Sequence, residues 1–527
     1  MVPGRGAIAG VVLSMTILVG CTGSTDDEHP TATPSAEVPP NQVAGVALPA
    51  DAVDKAIGRL DELAGSLMDS SGIPGMAVAV VHGGKTVYAK GFGVREAGAP
   101  DKIDADTVFQ LASVSKSLAA TVVANQVGAN TVEWTTPVVA HLPSFALADP
   151  ATTAQLTVGD LFAHRSGLPD HAGDRLEDLG YDQAAILDKL RLEPLDPFRV
   201  TYHYTNFGLT AAAESVAAAA GKDWAKLSAD ALYTPLGMRD TSSRFDDFRA
   251  RPNHAVGHVN IDGEWVARYV RDPDPQSPAG GASSSVNDMA RWLTMLLGDG
   301  TTGATTIAPP EALLPAVTPQ IVSAPPTTPT ARAGSYGYGF NVSVSSAGRT
   351  ANSHSGAFSL GAATNFLVIP SADVAIVALT NAAPLGIPET LTAEFGDLVQ
   401  FGEVREDWRG LYRDAFVAAD APEGDLSGKT APSDPAPAQA LSTYTGTYDS
   451  DYWGPATISA TPTGLVLTIG PARREYPLRH WEGDTFAFEP SGENAPPGSV
   501  SSARFTDGRL TIDYFDENGL GTFAKSG

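Results

Sequence analysis

A serine precedes a lysine by three residues in the segment 109–118, which reads FQLASVSKSL. Residues three apart share one face of a helix, so Ser113 and Lys116 would lie side by side there. A serine hydroxyl becomes an effective nucleophile when a neighbouring base takes its proton, and a lysine can act as that base once burial lowers its pKa. The pair is therefore a candidate nucleophile and base. The same spacing also fits a helix start, with Ser113 as the N-cap and Lys116 on a solvated face.

Two later motifs add polar groups suited to the same chemistry. Tyr204 and Asn206 form the only Y-x-N of the chain, and His354 begins the tetrapeptide HSGA ahead of a predicted strand. Taken singly, each has a structural interpretation. Tyr204 fits a core aromatic residue, Asn206 a turn residue, and His354 a hydrogen-bonded histidine on an edge strand. The occurrence of all three motifs in one chain favours a common catalytic site.

With these motifs in this order, the sequence resembles the serine β-lactamase and penicillin-binding protein superfamily, most closely its class C β-lactamase-like branch. That superfamily carries S-x-x-K, then Y-x-N, then K-T-G or H-[ST]-G on an edge strand. Further stretches that resemble it are LFAHRSGLP at 161–169, PAGGA at 278–282 before Asp288, and YGYGF at 336–340. The resemblance spans about residues 51–401. It implies an α/β (α+β) fold in which helices flank an antiparallel sheet and an all-helical subdomain is attached.

The resemblance implies that Ser113 attacks a carbonyl group and becomes acylated. Either Lys116 or an ionised Tyr204 would take the serine proton, and the sequence leaves open which of them does so. Tyr202 competes with Tyr204 for this place. Asn206, with two amide donors and one acceptor, would hold Lys116 or a substrate carbonyl.

The resemblance also implies an oxyanion hole made by the backbone N–H groups of Ser113 and Ala357, with His354, Ser355 and Gly356 beside the substrate. His354 stands where true β-lactamases have a lysine that faces the substrate carboxylate. A mostly neutral imidazole binds a carboxylate less well. We therefore expect an esterase or a D-amino-acid peptidase or carboxypeptidase, with weak β-lactamase activity if any.

Other chemistries fit poorly. The chain has no G-x-S-x-G, no phosphate-binding G-x-x-x-x-G-K-[ST] and no H-E-x-x-H. His254 and His258 are four residues apart but lack a third ligand nearby in sequence, so we expect no metal. Two-step acyl transfer also needs no organic cofactor. The alternative from another class is a non-catalytic lipoprotein that keeps this fold and binds a component of the cell envelope.

Composition and length limit the partners and the domain count. The 34 basic and 60 acidic residues give a net charge of -26, which repels phosphate backbones, so nucleic acid is not an expected partner. The expected partner is instead a small-molecule or peptide ester or amide substrate. With 527 residues, the chain is long enough for two to four domains.

The first residues resemble a bacterial lipoprotein signal. Arg5 precedes an uncharged, mostly apolar run that ends in LVGC at 18–21, and Cys21 is the only cysteine. We therefore expect an exported protein that a lipid on Cys21 anchors to the outer face of a bacterial cell membrane. The alternative is an unlipidated Cys21 lost with its signal peptide. In either case no internal disulfide can form.

The elements that must position the motifs begin with an amphipathic helix at 51–71, which has apolar residues at helical spacing from Val53 to Leu67. A hairpin follows at 76–92 around Gly83-Gly84, and then the helix that carries Ser113. The later predicted elements are strands at 337–342, 360–369 and 374–379 and a helix at 388–401. Strands at both ends of a helical insert imply a sheet that the chain leaves and rejoins.

After about residue 440 the sequence changes to short alternating strands with turn residues between them, which predicts a small all-β barrel. Its aromatic motifs resemble the lipocalin-like module that follows the catalytic domain in some of these hydrolases, and we expect it to cover or shape the catalytic cleft or to aid assembly.

The predicted segments of the whole chain are a lipoprotein signal peptide (1–20), a flexible tether (21–50), the hydrolase domain (51–401), a helix and linker (402–440) and the lipocalin-like β-domain (441–527).

Overall fold

The computed structural model of the chain describes residue 44 and residues 46–526, which belong to one compact unit. The predicted signal peptide, Cys21 and most of the tether lie outside the described residues, so the signal peptide, the lipidation and the tether stay predictions. Among the described residues, no helix combines the length and the apolar composition needed to cross a membrane.

Strands occur at both ends of the hydrolase part and throughout the C-terminal part. The strands of the hydrolase part are β1 (Gly75–His82), β2 (Lys85–Gly93), β3 (Phe109–Gln110), β4 (Val259–Ile261), β5 (Glu264–Val266), β6 (Ser283–Ser284), β7 (Thr301–Thr302), β8 (Thr305–Thr306), β9 (Ile321–Ala324), β10 (Gly334–Tyr336), β11 (Asn341–Val344), β12 (Thr350–Phe358), β13 (Ala362–Ile369) and β14 (Val374–Thr380). Those of the C-terminal part are β15 (Gly446–Ser450), β16 (Gly454–Thr461), β17 (Gly464–Ile469), β18 (Arg474–Glu482), β19 (Thr485–Phe488), β20 (Ser501–Thr506), β21 (Arg509–Ile512) and β22 (Thr522–Lys525).

Two helices precede β1, others fill the long insert between β2 and β9, and the rest follow β14, the last strand of the hydrolase part. They are α1 (Ala52–Ile57), α2 (Leu60–Ser71), α3 (Ser115–Gly128), α4 (Pro150–Gln155), α5 (Val158–Phe162), α6 (Asp174–Asp178), α7 (Gln183–Lys189), α8 (Asn206–Ala219), α9 (Trp224–Ser228), α10 (Phe245–Ala250), α11 (Ser277–Gly280), α12 (Val286–Leu297), α13 (Pro310–Leu313), α14 (Ile387–Phe401), α15 (Trp408–Ala419) and α16 (Leu441–Tyr444).

The main sheet has eight antiparallel strands in the order β2-β1-β14-β13-β12-β11-β10-β9. The predicted hairpin is present, and Gly83 and Gly84 both have positive φ, as a two-residue turn of this kind requires. The chain leaves the sheet after β2, rejoins it at the opposite edge as β9, and returns strand by strand to β14, which pairs with β1 in the register Ala79↔Val377. The expected antiparallel sheet flanked by helices is therefore confirmed.

Helices cover both faces of this sheet because β1 is apolar on both sides. Val78 and Val80 pack into a core with apolar residues of α1, α2 and α14. Ala77 and Ala79 face the opposite way, into the larger core that contains α3, α8 and α12. The segment with Ser113 and Lys116 belongs to this second layer.

Two predicted elements differ from the structure. The helix expected over 51–71 is broken between α1 and α2 at Gly58, where the residue type has low helix propensity. Of the strand expected over 337–342, residues 341–342 belong to β11, whereas residues 337–340 form a turn between β10 and β11. Its Gly339 has φ +75°, and a Cβ there would lie 2.5 Å from the Lys116 carbonyl oxygen. The chain turns at this point because it packs directly on the backbone of α3.

The C-terminal strands β15 to β22 form a closed barrel, which confirms the predicted all-β architecture. Alternate residues of β17, Leu465, Leu467 and Ile469, are buried inside it, as their spacing predicts. The likeness of this barrel to lipocalins and the domain boundaries at 401 and 440 stay predictions.

Candidate active site

Ser113 lies in a single turn of 3-10 helix, Ala112–Val114, between β3 and α3. The approach to this turn is held on two sides: Leu111 N donates to Ala282 O (2.9 Å), and Thr364 Oγ1 donates to Leu111 O (2.7 Å). Ala112 has φ +47°, a left-handed conformation that residues with a Cβ rarely adopt. The surrounding hydrogen bonds therefore hold the residue before Ser113 in a strained conformation.

Lys116 has 0% of its surface exposed, so the interpretation as a solvated lysine behind an N-cap is wrong. Its Nζ donates to Ser113 Oγ (2.9 Å), Asn206 Oδ1 (2.6 Å) and Ala279 O (2.9 Å). Burial lowers the pKa of Lys116 to about 7, although the negative charge of Asp174 acts in the opposite direction. The amine is therefore partly neutral near pH 7 and touches the serine hydroxyl.

Tyr204 covers the same amine from one side. Lys116 Nζ lies 4.5 Å from the centroid of the Tyr204 ring. Burial raises the pKa of Tyr204 well above 10, and a hydrogen bond with Ser113 offsets this only in part, so the side chain is a neutral phenol. Tyr202 instead packs its ring 5.6 Å from that of Tyr336. Of the two candidate tyrosines, Tyr204 is the one beside the serine–lysine pair.

Asn206 connects the pair to two residues that the sequence analysis missed. Its Nδ2 donates to Asp174 Oδ2 (2.7 Å), which also accepts from His171 Nδ1 (2.8 Å). Asp174 is 3% exposed. Burial works to lower the pKa of His171, but its hydrogen bond to Asp174 and the charge of that carboxylate outweigh burial and raise the pKa to about 9. An H-x-x-D pattern was visible in the sequence, but only the fold brings it to Asn206.

Strand β12 passes next to the Ser113 turn. Its neighbour β11 pairs with it only as far as Ser353, and beyond that point Gly356 lies against the turn. A Cβ on Gly356 would be 2.2 Å from Leu111 O and 3.1 Å from Ser113 N, so this close approach requires glycine. Ala357, the next residue, is exposed. Gly356, the residue before Ala357, thus lies against the backbone of Ser113, and the oxyanion role of the Ala357 N–H stays a prediction.

His354 is buried and has both ring nitrogens engaged. Nδ1 donates to Ser355 O (2.6 Å), and Nε2 accepts from the Tyr336 hydroxyl (2.7 Å). Burial, with a further contribution from the charge of Lys116, lowers the pKa of His354 to about 3. The neutral imidazole therefore carries no charge that would attract a substrate carboxylate.

Ser355 does not join the other predicted site residues, and this prediction of a substrate-binding side chain is corrected. Successive residues of a strand face opposite sides, so Ser355 points away from His354 and Gly356. Its Oγ accepts from Asn365 Nδ2 (2.9 Å) on the side of the sheet that α14 covers.

The two histidines weighed as metal ligands also lie apart from this site. His258 is saturated, because Nε2 accepts from Ala97 N (2.9 Å) and Nδ1 is 2.9 Å from Asn381 O. Within residues 44 and 46–526, no group of three His, Cys, Asp or Glu side chains is placed to hold a metal ion.

An antiparallel sheet flanked by helices, with a buried lysine against a serine and a tyrosine and asparagine around them, is the architecture of the β-lactamase/transpeptidase-like serine hydrolases. A model of the family described as Beta-lactamase matches residues 60–398, and the chain belongs to this family. Residues 430–519 match a second family, described as Domain of unknown function (DUF3471). The resemblance seen in the three motifs is therefore confirmed at the level of the superfamily.

Similar proteins include hydrolases and a penicillin-binding protein. Unguisins hydrolase ungD' of Aspergillus campestris is 28% identical over 418 residues, which cover 75% of each chain. Penicillin-binding protein 4 of Amycolatopsis lactamdurans is 30% identical over 235 residues, or 43% of this chain and 60% of that protein.

Two solved structures share the fold. The octameric penicillin-binding protein homologue from Pyrococcus abyssi has a TM-score of 0.58 at 19% identity and covers 87% of this chain and 98% of its own. The class C beta lactamase from Rhodobacter sphaeroides has a TM-score of 0.52 at 20% identity, covering 66% and 98%. At these identities the similarity is one of fold alone.

Proposed function

We propose that this chain forms an acyl-enzyme on Ser113 and hydrolyses an ester or an amide. The observation that carries the proposal is the distance of 2.9 Å between Lys116 Nζ and Ser113 Oγ, in a pair whose amine is fully buried. A neutral amine at this distance is placed to accept the hydroxyl proton. Family membership supports a serine hydrolase, and the acyl-enzyme is the step that this pair would perform.

In the proposed reaction, Lys116 takes the proton of Ser113 while the serine oxygen bonds to the substrate carbonyl carbon. Lys116 is favoured over Tyr204 as this base because its pKa is lowered to about 7 whereas that of Tyr204 is raised. The backbone N–H groups of Ser113 and Ala357 would bind the oxyanion. The bond to the leaving group then breaks, and the leaving group takes the proton that Lys116 received from Ser113. Water attacks the acyl carbonyl carbon, the bond to the Ser113 oxygen breaks, and a proton of that water restores the serine hydroxyl as the acid leaves.

We infer that β-lactams are poor substrates. His354 is uncharged and engaged at both nitrogens, so the site has no cation at this position to bind a carboxylate. One similar protein is named as a hydrolase of unguisins, and another is named as a peptidase: D-alanyl-D-alanine-carboxypeptidase/endopeptidase AmpH of Escherichia coli, which is 24% identical over 249 residues. A peptide amide or a related ester is the substrate class we favour.

We also propose that the protein is exported and held at the outer face of a bacterial membrane through a lipid on Cys21. This proposal is supported by the signal-like sequence of residues 1–21 and by the Pro-, Ser- and Thr-rich stretch that follows. Metabolic labelling with an alkyne fatty acid tests it: label on the wild type but not on Cys21→Ala is expected, and equal labelling of both contradicts it.

A serine-directed fluorophosphonate probe tests the acyl-enzyme. We expect the wild type to be labelled and Ser113→Ala to be unlabelled, with the exposed Ser144→Ala as a control that labels normally. Turnover of p-nitrophenyl acetate, D-alanyl amides and nitrocefin then separates esterase, peptidase and β-lactamase. A folded wild type that neither labels nor turns over any substrate would instead support the non-catalytic envelope-binding protein.

A further inference from the structure

The carboxyl group of Glu493, from the C-terminal barrel, contacts the turn that follows β12. Glu493 lies in the segment between β19 and β20, and its Oε1 accepts from Ser359 N (2.7 Å) while Oε2 accepts from Leu360 N (3.2 Å). Both donors belong to the hydrolase part and follow Ala357 by two and three residues. One side chain of the barrel thus binds two consecutive backbone amides beside the proposed oxyanion hole.

The turn held in this way touches the residues on both sides of that hole. Phe358 O accepts from Gly361 N (2.9 Å), which closes the turn. The Phe358 side chain is buried in one apolar cluster with Ala112, the strained residue that precedes Ser113. A shift of this turn would therefore move the N–H groups of Ser113 and of Ala357 together.

Arg271, a buried arginine, lies between Glu493 and Phe358 of the same turn. Arg271 lies with its guanidinium 4.9 Å from the centroid of the Phe358 ring, and its Nε is 3.8 Å from Glu493 Oε2. Its two Nη atoms donate to Glu177 (3.2 and 2.7 Å). Arg271 O accepts from the side chain of Gln110, three residues before Ser113 (2.9 Å). The Glu493 side chain thus joins a polar network around Arg271 that reaches the nucleophile segment.

The segment that carries Glu493 is itself anchored to the hydrolase part. Asp178, at the end of α6, accepts from Glu493 N and from Asn494 N through its two oxygens (2.9 Å each). Asn494 Nδ2 donates to Asp174 O (3.1 Å), at the start of the same helix. These hydrogen bonds fix the backbone at Glu493, and a residue that positions a catalytic group needs such a fixed backbone.

We propose that Glu493 is a positioning residue of the hydrolase: it fixes the turn after β12 and, through that turn, the two backbone N–H groups that bind the oxyanion. The inference rests on the proposed acyl transfer at Ser113. It makes the barrel a working part of the catalytic site. Without the Glu493 side chain, the backbone amides of Ser359 and Leu360 would have no acceptor, and the turn beside the oxyanion hole would no longer be fixed.

The test compares Glu493→Gln and Glu493→Ala with Glu489→Gln, an exposed glutamate of the same segment. Losing a fully aligned oxyanion donor costs about 100- to 1,000-fold in kcat, and a misplaced donor should cost less, so we expect kcat to fall by about 10- to 100-fold. KM should stay within about threefold because ground-state binding is little affected. Glu493→Asp, which keeps a carboxyl group with two acceptor oxygens at a shorter reach, should lose less activity than Glu493→Ala, and the control should match the wild type.

Affinity for a boronic acid that forms a tetrahedral adduct on Ser113 provides a readout that a purely structural role would not change. Its Ki should rise by the same factor by which kcat falls. If the alanine variant does not fold, Glu493→Gln, which keeps the size of the side chain and one acceptor oxygen, decides the question. A folded Glu493→Gln with unchanged kcat and Ki overturns this inference while Ser113 labelling persists. Loss of labelling in the wild type itself would overturn the proposed function instead.

Discussion

At the scale of single residues, the site depends on one buried amine held between opposing effects. Burial pushes the pKa of Lys116 down to about 7, and the negative charge of Asp174 keeps it from falling further. Asp174 does not touch Lys116 but acts across Asn206, whose amide binds both side chains. The protonation of the proposed base is therefore set partly by a residue outside the three motifs.

Activity should consequently rise with pH through about 7, because the protonated form of Lys116 cannot accept the serine proton and the neutral form can. In Asp174→Asn the charge that favours protonated Lys116 is gone, so its pKa should fall and the acidic limb of kcat/KM should move to lower pH by about one unit. Measuring kcat/KM for p-nitrophenyl acetate between pH 5 and 9 checks this. Asp170→Asn, which changes a nearby carboxylate, is the control, and a limb that moves upward or stays in place would contradict the assignment of Lys116.

At the scale of elements, a buried carboxylate ties α5 to the loop that leads to Tyr204. Asp160 closes a capping box with Thr157 at the start of α5 and has 0% of its surface exposed. It also accepts from Arg165 Nε and from Arg199 Nη2 (2.8 Å each). Both arginines belong to loops around His164, whose carbonyl accepts from His203 N (3.0 Å) next to Tyr204.

Asp160→Ala should lower the free energy of unfolding by about 3 kcal/mol, because it leaves two arginines without their shared carboxylate and removes the cap of α5. Asp149→Ala is a suitable comparison, since Asp149 is an exposed N-cap at α4 whose loss should cost about 1 kcal/mol. Urea unfolding followed by circular dichroism measures both values. Equal losses in the two variants would show that the arginine contacts contribute nothing to stability.

Local patterns were enough to predict several elements and the nucleophile segment. The hairpin at Gly83-Gly84, the strand β14 and the alternation of β17 follow from residue types within a few positions of each other. The turn at Gly339 was missed because its cause is the distant backbone of Lys116, and a run of Gly and Tyr also suits a strand. Contacts between segments far apart in sequence leave no local pattern.

The same limit explains why one residue near the site was missed and another was misplaced. Ser113, Lys116, Tyr204 and Asn206 could be predicted as site residues because each lies in a motif with a fixed spacing. Asp174 reaches Asn206 only through tertiary packing. The place of Ser355 was misjudged because a motif lists neighbours in sequence, whereas a strand turns alternate side chains to opposite faces.

At the scale of the whole molecule, polar contacts connect the hydrolase part with the C-terminal part. Arg175 on α6 pairs with Glu423 (2.6 Å) and Glu517 (3.2 Å) and stacks 4.1 Å from the centroid of the Tyr514 ring. Nearby, Tyr181 donates its hydroxyl proton to Trp453 O (2.8 Å). These contacts surround α6, which also supplies Asp174 to the catalytic site, so the barrel and the site have a common support.

Arg175→Ala should therefore weaken the attachment of the barrel. We expect a loss of about 2 kcal/mol in the free energy of unfolding and, in calorimetry, a transition that is broader than the single cooperative one expected for the wild type. Arg413→Ala removes an exposed pair with Asp414 on α15 and should cost less than about 1 kcal/mol. If the two variants lose the same amount, the interface around Arg175 does not couple the two parts.

The pairing of β1 with β14 also governs how the chain must fold. Met76 pairs with Thr380, which is more than 300 residues later in the chain. During synthesis, the apolar stretch 76–81 therefore has one unpaired edge until more than half of the chain has been made. Contacts this distant along the sequence make folding slow. An unpaired apolar edge invites aggregation, and a molecular chaperone that binds extended apolar segments would protect it during translation.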